Sequence, residues 1–230
     1  MKNELNSVHL DGMIETCRIV GDVHGKTVAK LMVVTLHPNE FSGSSVSLSS
    51  QFDKLRHPVR VVADGALSKE LRSLEREMRM ERSTGKNLAS PHPCSVDGVL
   101  RGTEQGDFFV EATDKGFVLT DMVKTGRDNN VARLTGRVLT TSFTDETARI
   151  QVQTPAGQMD TFIQRKLNAD AWEAVSSGRV KKGDALLMSG PLFRIDFTDG
   201  KGINQKYMLV PHMLQKQKLD KKKAVGPTLS

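Results

Sequence analysis

Two related stretches open the two halves of the sequence: Asn6-Ser7-Val8-His9-Leu10-Asp11-Gly12 and Asn130-Val131-Ala132-Arg133-Leu134-Thr135-Gly136. Each begins with Asn, continues with apolar residues at alternate positions and ends with Gly. A period of two is typical of a strand with one buried face. A repeat of this kind indicates that one small structural unit occurs twice in the chain.

A second pair of related stretches lies towards the end of each half. Ser95-Val96-Asp97-Gly98-Val99-Leu100-Arg101 is similar to Leu187-Met188-Ser189-Gly190-Pro191-Leu192-Phe193-Arg194. The 230 residues have room for two domains of about 100 residues each, a size that needs no disulfide or metal support. The sequence therefore predicts domains at residues 1–124 and 129–213. A basic tail at 214–230 is expected to be disordered.

Both halves follow the same order of elements. Alternating and β-branched segments predict three strands, a helix and two further strands. In the first half the strands are expected at residues 8–14, 27–36, 59–63, 94–101 and 107–112, with a closing segment at 117–122 and a polar loop at 37–50. In the second half they are expected at residues 131–140, 148–153, 159–166, 185–196 and 206–211. Apolar residues at helical spacing predict a helix over 67–78, and a shorter helix is expected at 170–176.

Three strands, a helix and two strands are the order of a five-stranded OB barrel. The predicted fold class is all-β with short helices. It consists of two tandem five-stranded OB-folds, each with a helix between strands 3 and 4. A pair of other small barrels is the alternative, and the position of the helix favours the OB order.

Composition points to a polyanionic partner. The formal net charge is +6 and the isoelectric point is near 9.4, which favours nucleic acid before a membrane surface. A merely basic protein is the alternative. Two isolated Cys, Cys17 and Cys94, form no disulfide framework, which indicates a reducing compartment. No apolar run approaches the ~20 residues of a membrane span, and the N-terminus lacks the apolar core of a signal peptide.

Two short motifs suggest enzymes, but the rest of the sequence completes neither of them. Gly21-Asp22-Val23-His24-Gly25 is similar to one metal-binding fragment of metallophosphoesterases, which need further ligands from later motifs. Gly25-Lys26-Thr27 is similar to the end of a P-loop, yet Val20 stands where that motif requires Gly, and a strand follows. The six His residues show no metal-ligand spacing. We therefore expect no catalysis, no metal and no cofactor.

Several segments resemble the single-stranded DNA-binding proteins of bacteria and phages, in a tandem OB-fold version. The two opening strands carry this resemblance together with four further segments: Gly25-Lys26-Thr27-Val28-Ala29-Lys30-Leu31, Arg60-Val61-Val62-Ala63, the stretch from Lys181 to Leu192, and Phe197-Thr198-Asp199-Gly200-Lys201-Gly202. The resemblance covers residues 5–122 and 129–213.

The resemblance implies non-sequence-specific binding and protection of single-stranded DNA in DNA replication, recombination or repair, without catalysis. It also implies a homo-oligomer, a dimer with four OB-folds, and a cytoplasmic, nucleoid-associated protein. The family's acidic C-terminal recruitment peptide has no counterpart in the basic segment from Lys221 to Ser230. The alternative is an OB-fold accessory or partner-binding protein, of primosomal or plasmid-processing type, with weak general affinity for nucleic acid.

Single-strand binding requires flat apolar side chains on which bases stack and Lys or Arg along the phosphate path. Phe197 matches an aromatic position of the family, and alternation places Phe193 on the same face; the alternative puts this row in the core. The other aromatic and basic candidates of the second half are Phe162, Tyr207, Arg133, Arg137, Arg165, Lys166, Arg194, Lys201 and Lys206.

The first half offers fewer aromatic candidates. Phe41 lies in the predicted long loop, and the basic candidates are Lys26, Lys30 and Arg60. For any exposed Lys or Arg the alternative is ordinary solvated surface. The second half is therefore expected to be the stronger DNA-binding unit.

Overall fold

The structure is a computed structural model that describes residues 4–38, 52–84, 92–104, 107–122, 126, 129–199 and 202–217. Side chains are not described at 37–38, 52–53, 194–199 and 202–206. The predicted tail lies outside the described residues from position 218 onward, and so does most of the predicted loop at 37–50.

The first half contains strands β1 (Asn6–Val23), β2 (Lys26–Pro38) and β3 (Phe52–Ala63), helix α1 (Gly65–Ser83), and strands β4 (Pro93–Gly102), β5 (Phe108–Thr113) and β6 (Phe117–Leu119), with a 3-10 turn at Asp114–Gly116. The second half contains β7 (Asn130–Phe143), β8 (Thr147–Thr154), β9 (Gly157–Gln164), α2 (Ala169–Ser176), β10 (Ala185–Gly190), β11 (Leu192–Asp199), β12 (Gly202–Leu209) and β13 (Met213–Lys216). The described chain is thus mostly β-strand with few helices, as predicted. Neither described helix combines the length and apolarity that a membrane crossing requires.

Strand pairing closes into a ring in each half. In the first half β1 pairs with β2 and β4, β2 pairs with β3, β3 pairs in parallel with β5, and β5 pairs with β4. The second half repeats this circuit as β7, β8, β9, β12, β11 and β10, with Pro191 between β11 and β10. Along the chain, α1 follows β3 and precedes β4, and α2 follows β9 and precedes β10.

Several predicted boundaries are wrong: the strand predicted over 185–196 is two strands, β10 and β11, and three further boundaries extend a paired strand or a half. β1 runs on to Val23 instead of ending near residue 14, because it keeps pairing with β2 past two register shifts. β3 begins at Phe52 instead of residue 59, because its pairing with β2 is continuous from Thr27↔Ala63 to Pro38↔Phe52. The second half extends past residue 213, because β13 pairs with β10 and Lys216 lies 2.8 Å from Asp184.

The repeated Asn has the same structural role in both halves. The Asn6 side chain donates to the Leu100 carbonyl and accepts from the Leu100 N–H, each at 2.9 Å. Asn130 makes the same pair of bonds to Leu192, at 2.8 and 3.1 Å. Each side chain therefore satisfies both backbone groups of one residue two positions after a Gly. A Cβ at Gly98 or Gly190 would overlap the carbonyl of Glu111 or Val210, so the repeated Gly allows the strands to approach closely.

The opening strands of the two halves pair with each other. The antiparallel register runs from Asn6↔Leu134 to Leu10↔Asn130, and it joins all thirteen described strands into one sheet. Buried residues of both halves form one continuous cluster, in which Leu10, Val96, Leu134 and Ile150 are fully buried. The two halves therefore share a core.

Polar side chains also meet where the halves join. His57 is fully buried, and its Nε2 lies 3.0 Å from the Thr35 hydroxyl and 3.4 Å from the Asn130 amide nitrogen. Asn129 donates to the Leu36 carbonyl. Leu55 of β3 packs with Phe193 and Val210 of the second half. The extended part of the β2–β3 pair thus contacts the second half directly.

We predict that Asn130→Ala destabilises the protein more than Asn6→Ala. Both substitutions leave a backbone N–H and C=O without partners, but Asn130 is fully buried and Asn6 only partly so. The expected losses are roughly 2–4 kcal/mol for Asn130→Ala and about 1–2 kcal/mol for Asn6→Ala. Urea unfolding measures both, with the exposed Ser73→Ala as the neutral control. Losses equal to that of the control would contradict this role.

A second prediction concerns pH. Partial burial alone lowers the pKa of His9, but hydrogen bonds from its ring to Asp97 (2.8 Å) and Asp11 (3.1 Å) outweigh that effect and raise the pKa above 6.5. The stabilisation is therefore fully present below pH 6.5 and is lost as the pH rises through the raised pKa. Its size stays below about 1 kcal/mol because the group is partly exposed. Unfolding of the wild type and of His9→Gln should differ more at acidic than at basic pH, and a pH-independent difference would contradict the assignment.

Candidate nucleic-acid interface

The outward face of the first half carries a row of cations across three neighbouring strands. Arg18 of β1 is opposite Lys30 of β2, and Lys30 is opposite Arg60 of β3. Residues directly opposite in adjacent strands share a face, and like charges in that arrangement are unfavourable. Glu111 of β5 continues the row beside Arg60. The strand register thus concentrates three positive charges against one negative charge.

An apolar row runs beside the cations. Met32 of β2 is opposite Pro58 of β3, and Pro58 aligns with Phe109 of β5 through the parallel register Val59↔Val110. Arg101 of β4 is opposite Phe109 and ends the row. Met32, Pro58 and Phe109 are partly exposed, whereas their sequence neighbours in the three strands point into the core. Period two therefore separates an inner face from an outer one that offers apolar contact.

Two cations, Lys30 and Arg60, and the three apolar side chains of these rows line a cleft of about 650 Å³. One wall is the end of the β1–β2 pair, with Val20 and Val23, both exposed apolar residues. The opposite wall is the end of the β4–β5 pair, with Thr103 and Asp107. Lys30, Met32, Pro58, Arg60 and Phe109 lie between the walls. The cleft therefore combines apolar side chains with two cations, Lys30 and Arg60, and the carboxylate of Asp107.

The second half contributes to the base of this cleft. Tyr207 of β12 lines it and is 5% exposed. Its ring meets Phe108 edge-on with centroids 6.4 Å apart, and its hydroxyl donates to the Arg56 carbonyl at 3.4 Å. Aromatic rings packed in this way hold each other in place. The cleft thus belongs to the junction of the halves as well as to the first half.

One carboxylate, that of Glu111, partly neutralises the positive charge of this face. Glu111 lies 3.1 Å from Arg101 and 3.9 Å from Arg60. Within the described residues, the side chains of Arg18 and Lys30 form no hydrogen bond or ion pair. Arg18 and Lys30 are therefore available for an anionic ligand, whereas Arg60 and Arg101 pair with Glu111.

The outward face of the second half differs in charge balance. Arg149 of β8 is opposite Phe162 of β9 and forms an ion pair with the buried carboxylate of Asp160. Phe162 is partly exposed. Phe143, at the end of β7, is 56% exposed. Phe143 is opposite the buried Ala148, so it does not share the face of Arg149. The outward face therefore offers the ring of Phe162, and its cation Arg149 is already paired.

The structure brings together three of the predicted site residues, Lys30, Arg60 and Tyr207, in one cleft. Lys26 lies at the end of β2, 3.5 Å from Asp64. Phe193 is 9% exposed and packs with Leu55 and Val210.

The remaining candidates are dispersed or not described. Arg133 and Arg137 are exposed on β7, as expected, and Arg137 donates to the Gly183 carbonyl at 3.3 Å. Arg165 lies 4.3 Å above the ring of Trp172, and Lys166 is exposed beside it. Phe41 and Lys201 lie outside the described residues, as do the side chains of Phe197, Arg194 and Lys206.

Sequence reasoning missed Arg18, Met32 and Phe109. Arg18 was hidden because β1 was expected to end before it, although Cys17 and Ile19 flank it in a strand pattern. Phe108 and Phe109 are adjacent, and only the register decides that Phe108 is buried and Phe109 faces outward. Phe143 was also missed, since nothing in the sequence shows that its strand end leaves it exposed.

The motifs that suggested enzymes have structural roles. Asp22, in the first motif, accepts from the Thr27 hydroxyl at 3.0 Å and from Arg72 at 2.6 Å, which ties the β1–β2 turn to α1. His24 occupies the turn with φ of 51°. Burial raises the pKa of Cys17 and Cys94 to about 12, so neither thiol supplies a nucleophilic thiolate at neutral pH.

Comparison with known proteins gives a structural match without a sequence match. No protein family model matches the chain, and no curated protein sequence does. The wild-type single-stranded DNA binding protein from Thermus aquaticus aligns over 99% of this chain and 97% of its own, with 16% identity and a TM-score of 0.61. The two proteins share a fold. A deletion variant of that protein aligns over 97% of this chain and 100% of its own, with 16% identity and a TM-score of 0.59.

Proposed function

We propose that this chain is a tandem OB-fold protein that binds single-stranded DNA without sequence specificity. The two OB-folds correspond to residues 1–124 and 129–213, the latter extended by β13. The closed ring of strands, the helix after the third strand and the fold shared with a single-stranded DNA binding protein support this assignment. Because fold alone does not determine function, the proposal depends on the cleft.

The observation that carries the proposal is the outward face of the first half, although the aromatic residues of the sequence favour the second half as the stronger DNA-binding unit. Bases stack on flat apolar groups, and the apolar row of Met32, Pro58 and Phe109 supplies such a surface. Phosphates follow positive charge. Lys30 lies two residues from Met32 on β2, and Arg18 is opposite Lys30 on β1; neither side chain has a partner among the described residues. A single strand laid across β2 and β3 would meet bases on one row and phosphates on the other.

The cleft recognises the flat faces of the bases and the charge of the phosphates, and it does not distinguish one base from another. Apolar stacking accepts every base, because every base has a flat face. A duplex presents its bases edge-on inside the grooves and cannot stack on Phe109. The arrangement therefore favours single strands over duplex and favours no particular sequence.

In this proposal the second half also contacts the DNA, through the DNA-binding residues predicted there. Phe162 on β9 extends the path of the DNA strand, and Phe197, Arg194, Lys201 and Lys206 remain predicted contacts. Arg133 and Arg137, exposed on β7, are further predicted contacts of the second half. The protein would protect single strands during replication, recombination or repair, and a homodimer would present four OB-folds.

Titration with labelled oligo-dT tests the function. We expect tight binding to a strand of about 35 nucleotides, since one OB-fold covers ~4–16 nucleotides, and much weaker binding to a duplex of equal length. The logarithm of the binding constant should fall linearly with the logarithm of salt concentration, by ~0.7 for each phosphate contact. No binding at low salt would refute the proposal. Equal affinity for duplex and single strand would favour an accessory protein with general affinity for polyanions.

Phe109→Ala tests the cleft. Loss of one stacking platform should weaken oligo-dT binding by about 1–3 kcal/mol, which is roughly 5- to 150-fold. Phe109→Leu is the matched variant, because it keeps apolar contact but loses the flat face, and it should fall between the wild type and Phe109→Ala. Far-UV circular dichroism checks that all three proteins are folded. Wild-type affinity in a folded Phe109→Ala would remove the cleft from the interface.

A further inference from the structure

Three potential metal ligands meet at the C-terminal end of α1. Glu77 and Glu81 of the helix and His92, which precedes β4, each place one ligand atom within 4.8 Å of the other two. A spacing of four residues puts the two carboxylates on one side of the helix. None of the three lines the cleft of the first half. The group is therefore separate from the proposed DNA interface.

Both elements that carry the group form hydrogen bonds with the same strand, β1. The His92 carbonyl accepts from the Ile14 N–H of β1 at 2.9 Å. On the helix, Arg82 donates to the Glu15 carbonyl of β1 at 3.3 Å. The ligands thus come from two separate elements whose positions are fixed by their contacts with β1.

Two atoms of the group are shielded from solvent without a partner. Oε2 of Glu81 and Nε2 of His92 are buried, and neither has a hydrogen-bond partner within the described part of the chain. An unpaired polar atom of this kind costs ~1–3 kcal/mol, and more when charged. Two carboxylates four residues apart on a helix also repel each other. The group is therefore unfavourable unless a cation joins its members.

We propose that Glu77, Glu81 and His92 bind a divalent transition-metal ion, with Zn²⁺ as the best match. One imidazole nitrogen and two carboxylate oxygens form a ligand set that Zn²⁺ accepts at ~2.0–2.2 Å, and the imidazole disfavours Ca²⁺ and Mg²⁺. A neutral His and two carboxylates balance the charge of the ion. Side-chain rotations that move the ligand atoms by about 1 Å bring the three atoms to the spacing of tetrahedral ligands. Water takes the fourth position.

Such an ion would link the C-terminal end of α1 to the residue that precedes β4. Sequence spacing does not reveal the site, because His92 comes from a different element than the two Glu residues and none of the usual metal motifs is present. Because the ligands are brought together only by folding, binding of the ion stabilises the folded state.

Titration of the full chain with Zn²⁺ tests the site. We expect one ion per chain by isothermal titration calorimetry and a melting temperature that rises with Zn²⁺ concentration. Co²⁺ as a substitute should give the visible absorption bands of a four-coordinate site. His92→Gln and Glu81→Gln should each weaken binding at least ~10-fold, since loss of even an outer-shell partner costs that much.

Glu70→Gln is the matched control, because Glu70 is exposed elsewhere on α1. Its affinity for Zn²⁺ should equal that of the wild type. Circular dichroism of the metal-free proteins establishes that each variant is folded. Absence of saturable Zn²⁺ binding by the wild type would overturn the proposal. So would equal binding by the wild type, His92→Gln and Glu81→Gln, because the ion would then bind at other side chains.

Discussion

The antiparallel pairing of β1 with β7 is the constraint on which the rest of the structure depends. Each of these strands belongs to the ring of its own half and also pairs with the opening strand of the other. Since the side chains of one strand alternate between two faces, a shift by one residue would turn the core side chains of a half outward. Val8 and Leu10 therefore stay buried only in the observed register. The continuous core and the cleft with its second-half tyrosine follow from this pairing.

The repeated Asn and Gly residues explain how two halves with little common sequence form the same arrangement of strands. Asn6 and Asn130 each replace a missing strand partner by bonding both backbone groups of Leu100 or Leu192. The nearby Gly in each half admits a neighbouring carbonyl where a Cβ would clash. These are steric and hydrogen-bonding requirements of a closed ring of short strands. Other positions were free to change charge and size.

The order and type of the elements could be predicted from the sequence, because alternation and helical spacing are local signals. Boundaries were less accessible, since β1 and β3 continue through polar residues that only pairing stabilises. At the candidate site, Lys30 and Arg60 were predicted, because exposed cations stand out in apolar strands. Phe109 was not, because the choice between Phe108 and Phe109 depends on register. The presence of Tyr207 beside them depends on how the two halves pack.

Covalent connection of the halves has an evolutionary consequence. In a symmetric dimer of identical chains, every substitution appears on both sides of the interface at once. Here the buried His57 of β3 faces Asn130, while the matching position in β9 is Met159. One side of the interface can therefore acquire a polar contact without imposing it on the other. Fusion thus frees each half to specialise, and the charged cleft of the first half and the paired Arg149 of the second show how far they have diverged.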